Sequence, residues 1–295
     1  MRLEAGIFVL SLSSRFGAVL SMPLWNWLKS IYGWEHVALY SALVPAVGFL
    51  VVALLVEDVP GRKNVPQGKA LSVRSVLESL KAVLGNKLFW LVGGAQVGNG
   101  LVRTAERVVG SYYSETAGVD DDMAGGLTTV VSIGFLFGIL VFGKFFIKVP
   151  DRNKTYFISV LYIFCILSLL SLGFLSMPFI SLGSTKIYFE TSFTFTATSL
   201  AAVQYYQVPT MLASTFGENR GLCSSYIDGL AYGSTAVIWQ ALSFVVELGD
   251  YGWAYLWGVV AALVTVAWIM QSRFSNIFFA DKEDHGGAYE RVKVE

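Results

Sequence analysis

The sequence predicts an all-α integral membrane protein with eight transmembrane helices, and three observations predict it. Of 295 residues, 55% are hydrophobic, 15% aromatic and only 14% charged, with a mean hydropathy of +0.59, far from the balance of a soluble chain. Eight apolar segments each approach or exceed the roughly 20 residues a helix needs to cross a bilayer. Their polar connections divide lysine and arginine very unevenly. Strands of a membrane barrel would be about ten residues long and alternate in polarity, which these segments do not. A formal net charge of zero leaves no electrostatic footprint for nucleic acid, and Cys165 and Cys223, each inside an apolar run, form no disulfide framework.

The spans run approximately over 6–28, 37–56, 88–113, 123–147, 156–177, 187–212, 222–246 and 251–272. The first is too long for a cleaved leader, and Arg15 interrupts its middle. The second is free of charge after its opening, YGWEHVALYSALVPAVGF from Tyr32. The third, after NKLFWL at 86–91, carries Arg103, Glu106 and Arg107 in its second half. Gly94 and Gly98 in the third span and Gly134 and Gly138 in the fourth are small-xxx-small pairs that let helices approach closely. In the sixth, Thr191, Thr194 and Thr198 stripe one side, continuing toward Gln204, Tyr205 and Gln207 before Pro209, which is expected to bend the helix. That side is read either as lining an aqueous path or as threonines bonded to their own helix carbonyls. Glu190 lies in the same span and Asp228 in the seventh.

With an even number of spans both termini share one side. Sixteen of the 21 lysines and arginines fall in the connections of that side, against Lys29 and Lys186 on the other, so the termini and the 57–87 connection are expected to be cytoplasmic. Within that connection LSVRSVLESLKAVL, 71–84, has the apolar spacing of a short amphipathic helix at the inner surface.

A repeat is also visible. YGWEHV at Tyr32 and YGWAYL at Tyr251 open the second and eighth spans, each after a span that begins near a serine pair, Ser13-Ser14 and Ser224-Ser225. The second, fifth and eighth spans, every third one, lack ionisable groups other than tyrosine and cysteine. A span without charge can face lipid, whereas intramembrane charge normally faces a cavity or another helix.

This three-helix periodicity, with VEDVPG at 56–61, resembles the major facilitator superfamily over nearly the whole chain. The resemblance implies that the chain starts at the fifth of twelve helices and lacks the first four. It divides the chain into 1–58, the last two helices of the N-terminal bundle; 59–86, a cytoplasmic linker; 87–273, a six-helix C-terminal bundle; and 274–295, a cytoplasmic tail. Within the superfamily, Asn86-Lys-Leu-x-Trp-Leu with Arg103 seventeen positions after the asparagine, and the SSYIDGLAYGS run at 224–234, are similar to the organophosphate:phosphate antiporters and their sugar-phosphate exchangers. The family implies alternating access, exchanging an organic phosphate such as a sugar phosphate or glycerol phosphate for inorganic phosphate. It implies no cofactor and no metal, with the lipid bilayer and a small anionic solute as partners, no nucleic acid, and a monomeric full-length form.

At 100° per residue Arg103, Glu106 and Arg107 share about one third of an unbroken helix. Two readings follow for Arg103: its planar fork holds an anion bidentately, or Glu106 or Asp228 neutralises it and the cluster locks helices together. A shifted span boundary would leave Arg107 at the outer interface. The expected solute-binding set is Arg103, Arg107, Thr194, Thr198 and Gln204; the charge-pair or gating set is Arg15, Glu106, Asp228, Asp151 and Arg152. The family's second clamping arginine, on its first helix, is missing here; Arg15 stands in the fifth-helix equivalent, where it can pair with Asp228 or a carbonyl. Ser14 occupies the position of a histidine in the bacterial branch. The family's Gly-x-x-x-Asp-Arg/Lys loop departs too: GKFFIKVPDR has Ile147 where the acid belongs, with Asp151 and Arg152 in a longer loop.

The rival classes are a transporter of another small solute, a sugar or a carboxylate; an eight-span remnant serving as a scaffold; and a membrane enzyme. Against the enzyme stand only two histidines, His36 and His285, no cysteine pair at metal-ligand spacing, no Gly-rich phosphate loop and no serine nucleophile motif with a base.

Overall fold

The computed structural model describes residues 2–55 and 73–284; 57–72 of the basic 57–87 connection and the second half of the 274–295 tail lie outside the described residues. Among the described residues every regular element is helical, in accord with an all-α membrane fold. The first element, α1, spans Arg2–Leu55 and contains both of the first two expected spans. Its limbs meet at Gly33, with φ 78° and ψ 172°, a region open essentially only to glycine. A polar loop between these spans is therefore reduced to a single glycine kink.

Helix α2 (Val73–Leu84) is the expected amphipathic linker helix. The turn after it is tight: Gly85 N–H bonds Lys81 O at 2.9 Å, and the Trp90 indole donates to Leu84 O at 2.7 Å. Asn86 then caps α3 (Lys87–Arg103), its side chain accepting Leu88 N–H at 2.8 Å, which gives the NKL sequence a local structural purpose. Helix α4 (Glu106–Ala117) continues the same span after a break and ends at Gly118, φ 67°.

The fourth span is segmented into α5 (Asp121–Leu127), α6 (Thr129–Gly138), a five-residue π-turn at Ile139–Gly143 and α7 (Lys144–Lys148). Asp120 caps it by accepting Met123 N–H at 2.8 Å, and Asp121 and Asp122 sit in the first turn where negative charge suits the helix dipole. Helices α8 (Asp151–Leu175), α9 (Lys186–Thr215), α10 (Arg220–Val246) and α11 (Gly252–Asp284) follow. Helix α9 runs unbroken through Pro209, and α11 continues past residue 273, where the tail was expected to begin.

Asp121–Lys148, Asp151–Leu175, Arg220–Val246 and Gly252–Phe279 are each long and apolar enough to cross a membrane. The other expected spans are helical but less apolar or shorter: α3 and α4 are separated by their break, α9 is diluted by threonine, serine and glutamine, and the second limb of α1 offers Glu35–Leu50.

Glycines set the closest contacts. A Cβ on Gly138 would overlap the Ser199 carbonyl oxygen, and one on Gly134 the Thr198 hydroxyl, so α6 and α9 touch backbone to backbone. A Cβ on Gly98 would lie 2.7 Å from Leu263 O, and one on Gly94 would strike Met270, which brings α3 against α11. Helix α10 lies along α3, α8 packs on α9 and α11, and α1 reaches α6. Large apolar side chains stay uncovered on the charge-free spans, the second limb of α1 (Leu43, Phe49, Leu54), α8 (Phe164, Leu167, Phe174) and α11 (Tyr255, Val266, Ile269), and also on α6 (Ile133, Phe137) and α10 (Val237, Phe244).

Candidate functional site

The span with the charged triplet is not one helix. Helix α3 stops at Arg103, Thr104 has φ −103° and ψ 12°, and α4 starts at Glu106. Across the junction the bonds tighten to three-residue reach: Ala105 N–H to Val102 O at 3.4 Å, Arg107 N–H to Thr104 O at 3.1 Å, Val108 N–H to Ala105 O at 3.0 Å. The Thr104 hydroxyl donates to Gly100 O at 2.8 Å and accepts the Trp239 indole N–H of α10 at 2.8 Å. Broken helices at membrane depth are tolerated where protein or a cavity supports the freed backbone groups.

Arg103 sits at this break with its side chain only 13% exposed. Its Nη1 lies 3.4 Å from Glu106 Oε1, long for a charge-assisted bond, which is usually about 2.7–2.9 Å. Its Nε, fully enclosed, finds no acceptor among the described residues. The guanidinium carbon is 5.8 Å from the centroid of the Phe135 ring of α6, a cation–π distance. Phe135 in turn meets Tyr205 and Tyr206 of α9, each 6.3 Å away centroid to centroid. Asp228 and Tyr232 of α10 lie within electrostatic range of the Tyr205 hydroxyl, as does Arg103. Glu106 Oε2 accepts the Ser132 hydroxyl at 3.4 Å, and its side chain is 29% exposed. One cation, one loosely held carboxylate and two tyrosines thus gather from α3, α4 and α9 around Phe135 of α6.

The other expected residues are placed as follows. Arg107 is exposed, whereas Arg103 is largely enclosed. Thr194 and Thr198 are buried and donate to Glu190 O (2.9 Å) and Thr194 O (2.8 Å) of their own helix, with Thr198 turned toward Gly134. Gln204 is fully buried, and neither atom of its amide has a partner among the described residues, while its carbonyl accepts the Gln96 amide at 3.1 Å. Asp228 is exposed; the acid at ion-pair distance from Arg103 is Glu106. The Arg15 side chain lies outside the described residues. Asp151 pairs with Lys154 at 2.6 Å, and Lys154 lies 5.2 and 5.5 Å from the Phe146 and Phe279 rings of α7 and α11; Arg152 is exposed.

Two polar clusters escaped the sequence reading. Tyr162 of α8, Asn99 of α3 and Gln271 of α11 meet in full burial, the Tyr162 hydroxyl 2.9 Å from Asn99 Oδ1 and 2.6 Å from Gln271 Oε1, which also accepts Asn99 Nδ2–H at 3.2 Å. The polar pair Gln96 and Asn99 within an apolar run was the available signal. At the opposite end of the bundle Glu190, wholly buried, accepts the Thr116 hydroxyl at 2.9 Å with Lys186 Nζ 3.9 Å away. Among the described residues no three His, Cys, Asp or Glu side chains gather as metal ligands would.

In comparisons with known proteins, the family model described as Major Facilitator Superfamily matches residues 4–222. The curated proteins contain no match to the chain.

Proposed function

The chain belongs to the Major Facilitator Superfamily, a family of multi-pass membrane transporters of small solutes rather than of enzymes, and from that premise we propose that its solute is a small anion, an organic phosphate exchanged for inorganic phosphate. The observation that carries the reading is Arg103: a guanidinium near the middle of a span, 13% exposed, with an Nε unmet among the described residues and a long ion pair to Glu106. An arginine held permanently would be expected to have short, complete bonds; one that receives a visiting anion keeps donor capacity in hand. Tyr205 and Tyr206 beside it supply hydroxyls for a phosphate or a sugar. Gln204, buried one residue away with an unpartnered amide, supplies further hydrogen-bonding capacity once the helices shift.

Alternating access of this kind needs two rocking halves. In the proposed arrangement 1–58 belongs to one half, 87–273 forms the other, 59–86 links them, and both termini face the cytoplasm, an orientation supported by the lysine and arginine distribution. The revised solute set is Arg103, Tyr205, Tyr206 and Gln204, with Glu106 as the counter-ion that yields to the solute.

The test is exchange in reconstituted vesicles preloaded with phosphate. A labelled sugar phosphate outside should enter only when phosphate is inside, and Arg103→Lys, which keeps the charge but loses the fork, should abolish entry while still inserting in the membrane. Undiminished exchange in Arg103→Lys would assign the residue to helix packing.

A further inference from the structure

The elbow between α2 and α3 fixes how α2 is rolled. Gly85 N–H and Asn86 N–H close on Lys81 O and Val83 O at 2.9 and 3.2 Å, and the Trp90 indole takes Leu84 O at 2.7 Å. Carbonyls at the end of α2, which the helix itself leaves unpaired, are thus held by groups at the start of α3. Helix α2 meets α3 and α10, and Val83 is wholly buried in the core. What this roll leaves outside is a strip of Leu77, Lys81 and Leu84, which at 100° per residue lie within about 60° of one another. Leu77 is 57% exposed and Leu84 36%, and Trp90, bonded to Leu84, is 50% exposed. Lys81 and Lys87 are exposed as well and make no ion pair among the described residues.

Two leucines and a tryptophan bared beside two lysines suit neither water nor hydrocarbon. They suit the boundary between the two, where leucine and indole reach the acyl edge and a lysine stem runs along them to a headgroup. The sequence around the strip adds to its charge: from Arg62 to Lys87 stand six lysines and arginines against one acid, Glu78. A zwitterionic headgroup would leave that excess unused, whereas a lipid phosphate without a compensating amine answers it. A second copy of the chain fits less well, because pairing the strip with itself sets lysine against lysine.

We propose that the outward strip of α2 and its elbow with α3 form a docking surface for anionic phospholipid of the cytoplasmic leaflet. Lys81 and Lys87 meet the lipid phosphates, while Leu77, Leu84 and Trp90 enter the acyl boundary. This rests on the cytoplasmic orientation of the 57–87 connection and is independent of the solute carried.

The test uses the full chain in vesicles with a nitroxide on Leu77→Cys; Cys165 and Cys223, both buried, do not compete for the label. Collisions with oxygen, which concentrates in hydrocarbon, against collisions with a water-soluble nickel chelate report the depth of the label. In pure phosphatidylcholine the chelate should reach it. As phosphatidylglycerol replaces phosphatidylcholine the balance should swing toward oxygen. The phosphatidylglycerol fraction needed for half the swing should rise roughly fivefold in Lys81→Gln, and further when Lys87→Gln is added. Equal depth in neutral and anionic vesicles, or a swing that ignores both lysines, would overturn the proposal. So would protection in phosphatidylcholine on adding inorganic phosphate alone, which would make the ligand a soluble anion. A label masked only at a high ratio of protein to lipid would give the face to a second copy instead. Should Leu77→Cys fail to fold, the unlabelled chain in detergent carries the test: phosphatidylglycerol should raise its Tm, and an equal rise in the double lysine variant would overturn the assignment.

Discussion

Removing the Tyr162 hydroxyl makes a measurable hole in the bundle. Tyr162 is fully buried, and its hydroxyl is the donor within reach of Asn99 Oδ1, at 2.9 Å; Gln271 Oε1, at 2.6 Å, has a second donor in Asn99 Nδ2–H. The hydroxyl has one proton, so at any moment it satisfies one of the two oxygens. Tyr162→Phe then leaves the buried Asn99 Oδ1 without that donor, a cost of about 2 kcal/mol. For a chain of this size that corresponds to a fall in Tm of roughly 4 °C. The assay is thermal unfolding in detergent, followed by a thiol-reactive dye that reports exposure of Cys165 and Cys223, both buried in the native fold. Tyr188→Phe is the control: Tyr188 is exposed on α9 and its hydroxyl makes no hydrogen bond among the described residues. Converting the whole cluster, Asn99→Leu with Tyr162→Phe and Gln271→Leu, should cost less than the sum of the single changes, because no polar atom is left stranded. An unchanged Tm in Tyr162→Phe, or an equal fall in Tyr188→Phe, would refute the reasoning.

Three further outcomes are expected. Gly138→Val should lose about 3 kcal/mol or more and most of the monodisperse peak in size-exclusion chromatography, since its Cβ meets the Ser199 carbonyl and Ala202; Gly229→Ala, with open space around it, should change stability by no more than about 0.5 kcal/mol. Lys154→Met, which keeps the apolar stem but not the charge facing Asp151, Phe146 and Phe279, should cost up to about 1 kcal/mol by thermal unfolding, and Lys154→Arg should recover it. A maleimide should label neither Cys165 nor Cys223 in the folded protein, both being buried, and should label both in denaturant.

The all-α membrane fold was legible because hydropathy needs no tertiary information. The glycine pairs at 94/98 and 134/138 do meet facing helices, while uncovered apolar side chains occur on the charge-free spans and on α6 and α10 alike. What the sequence could not disclose is the interruption of the third span. Thr104-Ala105 contains neither proline nor glycine, so nothing marks the break there. The threonine stripe was ambiguous for a related reason: a hydroxyl that bonds its own helix carbonyl looks, in sequence, the same as one lining a channel. Tyr162 and Gln271 lie in spans whose lack of charge pointed outward to lipid, yet each helix has two sides, and their inner sides meet Asn99.

The π-turn at Ile139–Gly143 adds one residue to a winding that would otherwise close sooner, and everything after it inherits the offset. In that offset register the Phe146 ring lies 5.2 Å from Lys154 Nζ. Trimming a single residue from the turn would rewind it and swing Phe146 by about 100° around the axis, so the aromatic setting of Lys154 depends on an irregularity one turn away.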